Sequence, residues 1–246
     1  MRNILKQSST LRRAIYWARM QRASSQSDEG SIIESLTTQA PKTFVEFGFH
    51  PVEFNCLQLA RTDDWQGVLI DGNADQVADA RRLLSKRIRA IQRFITLENI
   101  DFIKDLFPRL GVLSIDVDGN DYWFLERLID TRPTVICVEY NSSFGLEPVT
   151  VPYHSDFDRH KYHPRGWYHG ASITALASLC TKHGYGLAAV SSGGMNAVFT
   201  ETGTLDPIKE WKSNSLRQRY SKMTQEEQWA SVKTMPLINV QALQTR

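Results

Sequence analysis

The chain has 246 residues, 41% hydrophobic and 10% aromatic, with 29 basic against 27 acidic side chains for a formal charge of +2. This ordinary globular composition fits one large α/β domain with extensions or two small domains, either of which buries a sizeable core. Three scattered cysteines (Cys56, Cys137, Cys180) exclude a disulfide framework or zinc knuckle, and no apolar run approaches the roughly 18 residues of a membrane span.

In chain order, residues 1–27 hold Arg2, Lys6, Arg12, Arg13, Arg19 and Arg22 without one acid, leaving 23 basic against 27 acidic groups in the rest. Leu11, Ile15, Ala18 and Arg22 fall on one helical stripe, so residues 9–23 read as an amphipathic helix. It packs on the domain or serves as an arm for a membrane surface or nucleic acid. No apolar stretch of the secretory kind follows the basic start, and with reduced cysteines this makes cytoplasmic residence the expectation. Residues 31–37 suggest another short helix.

From residue 43 a regular alternation begins: strand 43–48, helix 52–61, strand 67–71, helix 74–91, a weaker strand 94–97, strand 111–116, helix 121–129 and strand 134–139. The 74–91 helix is expected to carry Arg81, Arg82, Lys86, Arg87 and Arg89 on its polar face. Strands and helices at this spacing predict βαβ units around a parallel sheet, and the nearly all-apolar strands fit burial on both faces. Residues 141–170 form a loop too long to be a mere connection. Ser172 caps a helix to about Lys182, two strands follow at 186–190 and 196–200 around a hairpin-type turn at 191–194, and the polar, helical remainder holds Trp211 and Trp229 as packing anchors. The expected organisation is a helical extension (1–40), an α/β domain (41–204) and a helical C-terminal extension (205–246).

Ligands of open α/β sheets bind beyond the carboxyl ends of the strands. Four strand ends here are acidic: Glu46-Phe47-Gly48, Asp71-Gly72-Asn73, Asp116-Val117-Asp118 and Glu139-Tyr140-Asn141. Carboxylates gathered on one edge repel unless ligands, cations or backbone donors compensate. Asp71, roughly 25 residues after a glycine-containing first strand end, suits the two hydroxyls of a ribose. Without a G-x-G-x-x-G fingerprint for a pyrophosphate, a phosphate-free nucleoside cofactor such as S-adenosylmethionine is favoured over a dinucleotide. If strand geometry continues, Asp116 and Asp118 share a face, as do Glu139 and Asn141. Asp116, Glu139 and Asn141 then suit a hard cation such as Mg²⁺, the alternative being helix caps and substrate hydrogen bonds. Four of six histidines (His154, His160, His163, His169) lie in the 141–170 region in no zinc-like spacing. His169, beside the helix start, is the candidate general base, with Asp118 as its catalytic companion. Tyr153, Tyr162, Trp167 and Tyr168 either stack on an acceptor or pack the loop down.

The strings TFVEFG (43–48), WQGVLID (65–71), LSIDVDGNDYW (113–123) and VEYN (138–141), with YHGAS (168–172), KHGY (182–185) and GMNAVF (194–199), resemble the FkbM-like branch of class I S-adenosylmethionine-dependent methyltransferases. The resemblance spans about residues 26–200 and implies a Rossmann-like, mostly parallel seven-stranded sheet with helices on both faces. It also implies O-methyl transfer to a hydroxyl of a sugar or small natural product. By position it places Glu46 and Gly48 near the methionine part of the cofactor and Asp71 at the ribose, with Asn73 and Asp116 completing the expected cofactor set. The first turn departs from the pattern, with Phe49-His50-Pro51 where relatives have a second glycine. That departure motivates the alternative of a degenerate pocket used as a binding or scaffold module. A small-molecule or glycan acceptor is the expected partner. Nucleic acid is disfavoured by the acidic body, while membrane contact through the basic start and homo-oligomerisation are both compatible with the sequence.

Overall fold

The computed structural model describes residues 9–20 and 25–243. Seven strands form one sheet in the order β3-β2-β1-β4-β5-β8-β7. They are β1 (Thr43–Phe47), β2 (Gln66–Asp71), β3 (Ile88–Gln92), β4 (Val112–Ile115), β5 (Val135–Glu139), β7 (Gly186–Val190) and β8 (Asn196–Thr200). The first five pair in parallel, and β8 runs antiparallel between β5 and β7. Two short strands, β6 (Val149–Thr150) and β9 (Ile238–Asn239), make a separate antiparallel pair.

Strand alternation sorts the core into two layers. Val45, Phe47, Val68, Ile70, Leu113, Ile115, Ile136 and Val138 face helices Asp121–Leu128 and Ile173–Lys182. Phe44, Leu69, Val112, Val135 and Cys137 face helices Glu29–Leu36, Leu57–Arg61 and Ala74–Leu83. Both faces are covered, as the apolar strands require. All three cysteines are buried and free, and no helix among the described residues is long and apolar enough to cross a membrane.

Three expected elements are corrected. The 52–61 helix shrinks to Leu57–Arg61, because the preceding turn wraps the carboxylate of Glu46. The 74–91 helix ends at Leu83, and Ile88–Gln92 is β3, the third strand that the sequence pattern put at 94–97. Ile88 and Ala90 alternate inward while Arg89 is exposed, a period of two that a long arginine-rich stretch hides. The supposed basic helix face is therefore split over a helix end, a turn and an edge strand.

The 141–170 segment is an ordered shelf. A 3₁₀ turn (Ser142–Phe144), β6 and a short helix (Arg159–Tyr162) rest on a third cluster in which Phe144, Val149, Val151, Trp167 and Tyr168 meet Trp229 and Val232. Trp211 packs on the main core. The C-terminal segment thus binds the shelf through β6–β9 and Ser143 Oγ on Gln228 (2.8 Å), and the end of β5 through Tyr140 Oη on the Lys212 carbonyl (2.6 Å).

At the other end, helix Ser9–Met20 docks by its charged side. Arg12 and Arg13 both reach the buried Asp79, Arg19 pairs with Glu53, and Tyr16 meets His50. Ile15 and Trp17 face outward, Trp17 being 60% exposed. These arginines are committed to acids of the domain, whereas Arg2, Lys6 and Arg22 of the basic leader lie outside the described residues.

Candidate active site

A cleft of about 730 Å³ opens at the carboxyl ends of β1, β2, β4 and β5, within the roughly 300–1,000 Å³ of small-molecule sites and at the point where strand order reverses. Gly48 makes its floor possible. Its φ is +78°, and a Cβ built there would stand 1.4 Å from the Asp116 carbonyl oxygen. No side chain fits where β1 and β4 approach so closely.

The β2 side is built by local backbone chemistry. Asp71 lines the cleft and accepts the Asn73 amide at 2.6 Å. Burial raises its pKa, opposed by the amides of Asn73 and Phe49. Asn73 also lines the cleft, but its Oδ1 caps the next helix through the Asp75 and Gln76 amides, leaving its Nδ2 side for other contacts. Arg93, Phe94 and Ile95 after β3 close this end, Arg93 lying over the Phe102 ring at 4.2 Å.

Glu46 is not in the cleft. Strand alternation turns it with Phe44 into the second core layer, where its two oxygens accept the amides of Asn55 (2.7 Å) and Cys56 (2.8 Å). Burial pushes its pKa up to about 7, against the pull of those amides. The acid that looked like a cofactor ligand is occupied by the turn after β1.

At the β4 end the extended geometry stops at Ile115, and Asp118 takes a left-handed φ of +57°. Asp116 lines the cleft, its pKa lifted well above the carboxylate range by burial and then by Asp118, Asp121 and Glu46. Asp121 ties the turn down by accepting the Val117 and Gly119 amides, both at 2.9 Å. Asn120 does no capping. It exchanges hydrogen bonds with the His154 backbone instead.

The expected set of Asp116, Glu139 and Asn141 does not assemble. Asn141 gives its amide hydrogens to the Trp167 and His169 carbonyls (2.7 and 2.8 Å), and its oxygen accepts from Ser143 N and Arg217. No polar atom of that side chain remains free for a cation. The cluster that does form, alone of its kind among the described residues, is Asp118, Glu139 and His169, with atoms within 4.8 Å of one another. Asp118 is also ion-paired with Arg159. Glu139 is lifted well above its ordinary pKa by burial and by Asp116, Asp118 and Asp121, with Arg159 opposing. Burial, then Arg217, Arg159 and His160, hold His169 well below the usual histidine value.

Most of the loop's aromatic and histidine residues are structural. Tyr168 donates to the Pro236 carbonyl, Tyr162 stacks on Phe157 at 5.0 Å, and Tyr153 joins Leu97 N and Glu98. Only Trp167 of the four aromatics lines the cleft. His163 stacks on Trp167, and His154 pairs with Asp156.

Residues the sequence pattern did not single out are Asn214, Leu216, Arg217 and Tyr220, all cleft-lining and all from the C-terminal segment. Arg217 donates to Asn141 Oδ1 (2.6 Å) and Ser143 Oγ (2.5 Å) and approaches His169 Nε2 at 3.0 Å. Burial lowers its pKa to about 10, with Glu139 opposing. The polar run around it carries no periodic or motif signal pointing inward.

Neither a family model nor a curated protein matches this sequence. Among solved structures, the chain is similar to cofactor-bound Rv0187 from MTB, at 14% identity over 80% of this chain and 90% of that one, with a TM-score of 0.52. It is also similar to a putative O-methyltransferase from Klebsiella pneumoniae, at 16% identity over 81% and 94% of the two chains, with a TM-score of 0.50. The fold is that of a Rossmann-like methyltransferase. In this fold the cleft lies at the carboxyl ends of β1, β2, β4 and β5, and the C-terminal segment lines it too.

Proposed function

We propose that the protein is an S-adenosylmethionine-dependent O-methyltransferase of the FkbM-like kind, acting on a hydroxyl of a sugar or other small acceptor. The observation that carries this reading is the backbone cradle at Gly48, open only because the residue lacks a Cβ, with the Asp71 carboxylate at the neighbouring strand end. Such a cleft admits a nucleoside and has no glycine-rich pyrophosphate loop. The similarity to a cofactor-bound structure and to a putative O-methyltransferase supports it.

The residues present fit the cofactor. Asp71 is suited to accept hydrogen bonds from two ribose hydroxyls, Phe94 and Ile95 give an apolar wall for the base, and Gly48 lets the backbone approach. When bound, S-adenosylmethionine supplies an electrophilic methyl group. The chain's own part is then to orient the acceptor oxygen, exclude water and receive a proton, so catalysis is mostly positioning.

Calorimetry and thermal denaturation with S-adenosylhomocysteine test this. At a hundredfold excess over Kd the expected stabilisation is about 2.7 kcal/mol, and absence of both heat and thermal shift sinks the reading. The alternative, a degenerate pocket serving as a scaffold, draws on His50, which lines the cleft rim 3.3 Å from Tyr16 Oη. Asp71→Ala separates the two, since a scaffold keeps its partner while an enzyme loses the cofactor.

A further inference from the structure

Where β5 meets the shelf, two buried polar atoms without hydrogen-bond partners, Glu139 Oε2 and His169 Nδ1, lie 3.6 Å apart. The two side chains are 12% and 1% exposed, and Glu139 lines the cleft. Leaving buried polar groups unpaired costs free energy, so such a pair marks a place for a ligand.

What the gap accepts is decided on the far side of the imidazole. Arg217 Nη2 stands 3.0 Å from His169 Nε2. A guanidinium has only donors, so Nε2 must offer its lone pair, and the single proton of the neutral ring sits on Nδ1. Burial and the charges of Arg217, Arg159 and His160 keep the ring neutral. A protonated Nδ1 has no electron pair for a metal ion, and the positive charges of Arg159 and Arg217 next to Glu139 oppose a cation further.

We propose that Glu139 and His169 bind a hydroxyl of an organic acceptor and not a divalent cation, His169 Nδ1–H donating to the oxygen and Glu139 Oε2 taking its proton. Arg217, from the C-terminal segment, fixes the tautomer as a positioning residue. The fate of the oxygen rests on the methyl-transfer reading. The proton passes to the Glu139 carboxylate, the O–H electron pair forms the bond to the methyl carbon, and the carbon–sulfur bond breaks with its pair left on sulfur. Glu139 stands among Asp116, Asp118 and Asp121, with Arg159, His169 and Arg217 as the basic groups around it.

The test is nitrogen NMR on protein carrying ¹⁵N-histidine and saturated with S-adenosylhomocysteine, together with Mn²⁺ binding followed by electron paramagnetic resonance. Expected are a His169 signal with Nδ1 protonated and Nε2 bare, loss of that preference in Arg217→Met, and no Mn²⁺ site that His169→Ala removes. An Nε2–H tautomer in the wild-type protein, or Mn²⁺ binding abolished by His169→Ala, overturns the proposal even if the Arg217 variant does not fold. If S-adenosylhomocysteine does not bind, the tautomer is read in the free protein. That pattern removes the methyl-transfer reading and leaves the polarity of the gap standing.

Discussion

The two halves of the cleft are built in different ways. On the β1–β2 side each group lies within a few residues of a strand end: Gly48 just after β1, Asp71 at the end of β2 and Asn73 just beyond it. Sheet hydrogen bonds such as Gly48 N to the Ile70 carbonyl (3.1 Å) place them. On the β5 side the side chains come from four distant places, Asp118, Glu139, His169 and Arg217, and the contacts span 48 residues between His169 and Arg217 and 76 between Asn141 and Arg217. The first half is set by backbone contacts between neighbouring sheet strands and the second by side-chain packing of the shelf and C-terminal segment. The two should therefore respond differently to substitution.

The largest expected effect breaks the first half. Gly48→Ala combines a positive φ with a backbone clash at 1.4 Å and should cost more than about 3 kcal/mol in chemical denaturation. Gly184→Ala is the contrast, with φ of +81° but nothing within 4 Å of the added Cβ, and should cost only about 1–2 kcal/mol. Equal losses at the two sites would refute the idea that close approach to β4 matters at Gly48.

Next comes Asp71→Ala, expected to weaken S-adenosylhomocysteine binding by about ten- to a hundredfold through lost charge-assisted hydrogen bonds. Titration of Arg217→Met by calorimetry should show unchanged affinity. A comparable loss in both would mean that the halves are not separable.

A pH effect of intermediate size sharpens the comparison within the core. Folding raises Glu46 to about 7 and Asp121 to about 6, so the folded state favours their neutral forms. Their contribution to stability is fully present below the unfolded values and is lost as pH rises through the folded ones. Unfolding free energy from chemical denaturation should fall between roughly pH 4 and 7, at up to about 1.4 kcal/mol per pH unit for each proton. Glu46→Gln should lower stability yet flatten that slope, and an unchanged slope would show that Glu46 does not titrate in this window.

The smallest effect belongs to the mouth. Tyr220 is 79% exposed, so Tyr220→Ala should leave stability within about 0.5 kcal/mol and S-adenosylhomocysteine affinity unmoved. With an acceptor in hand, its KM should rise. A drop in cofactor affinity would place Tyr220 in the other half.

The amino-acid sequence determined the sheet, its two apolar layers and the acidic strand ends, because strand periodicity and turn chemistry are local. It also singled out Gly48 and Asp71 at their strand ends, while the close approach of Gly48 to the Asp116 carbonyl is a contact between strands. It misplaced β3, where Arg87 and Arg89 mask an alternation that only edge pairing with β2 makes visible. It read Glu46 as a ligand because an acid at a strand end looks the same whether it faces a cleft or a turn. Only the tertiary structure decided that difference, together with the replacement of Asp116 and Asn141 by Asp118 and His169 beside Glu139. The physical reason is that a left-handed residue at Asp118 and a half-buried guanidinium arriving from the C-terminal segment redirect hydrogen bonds over distances that no sequence period encodes.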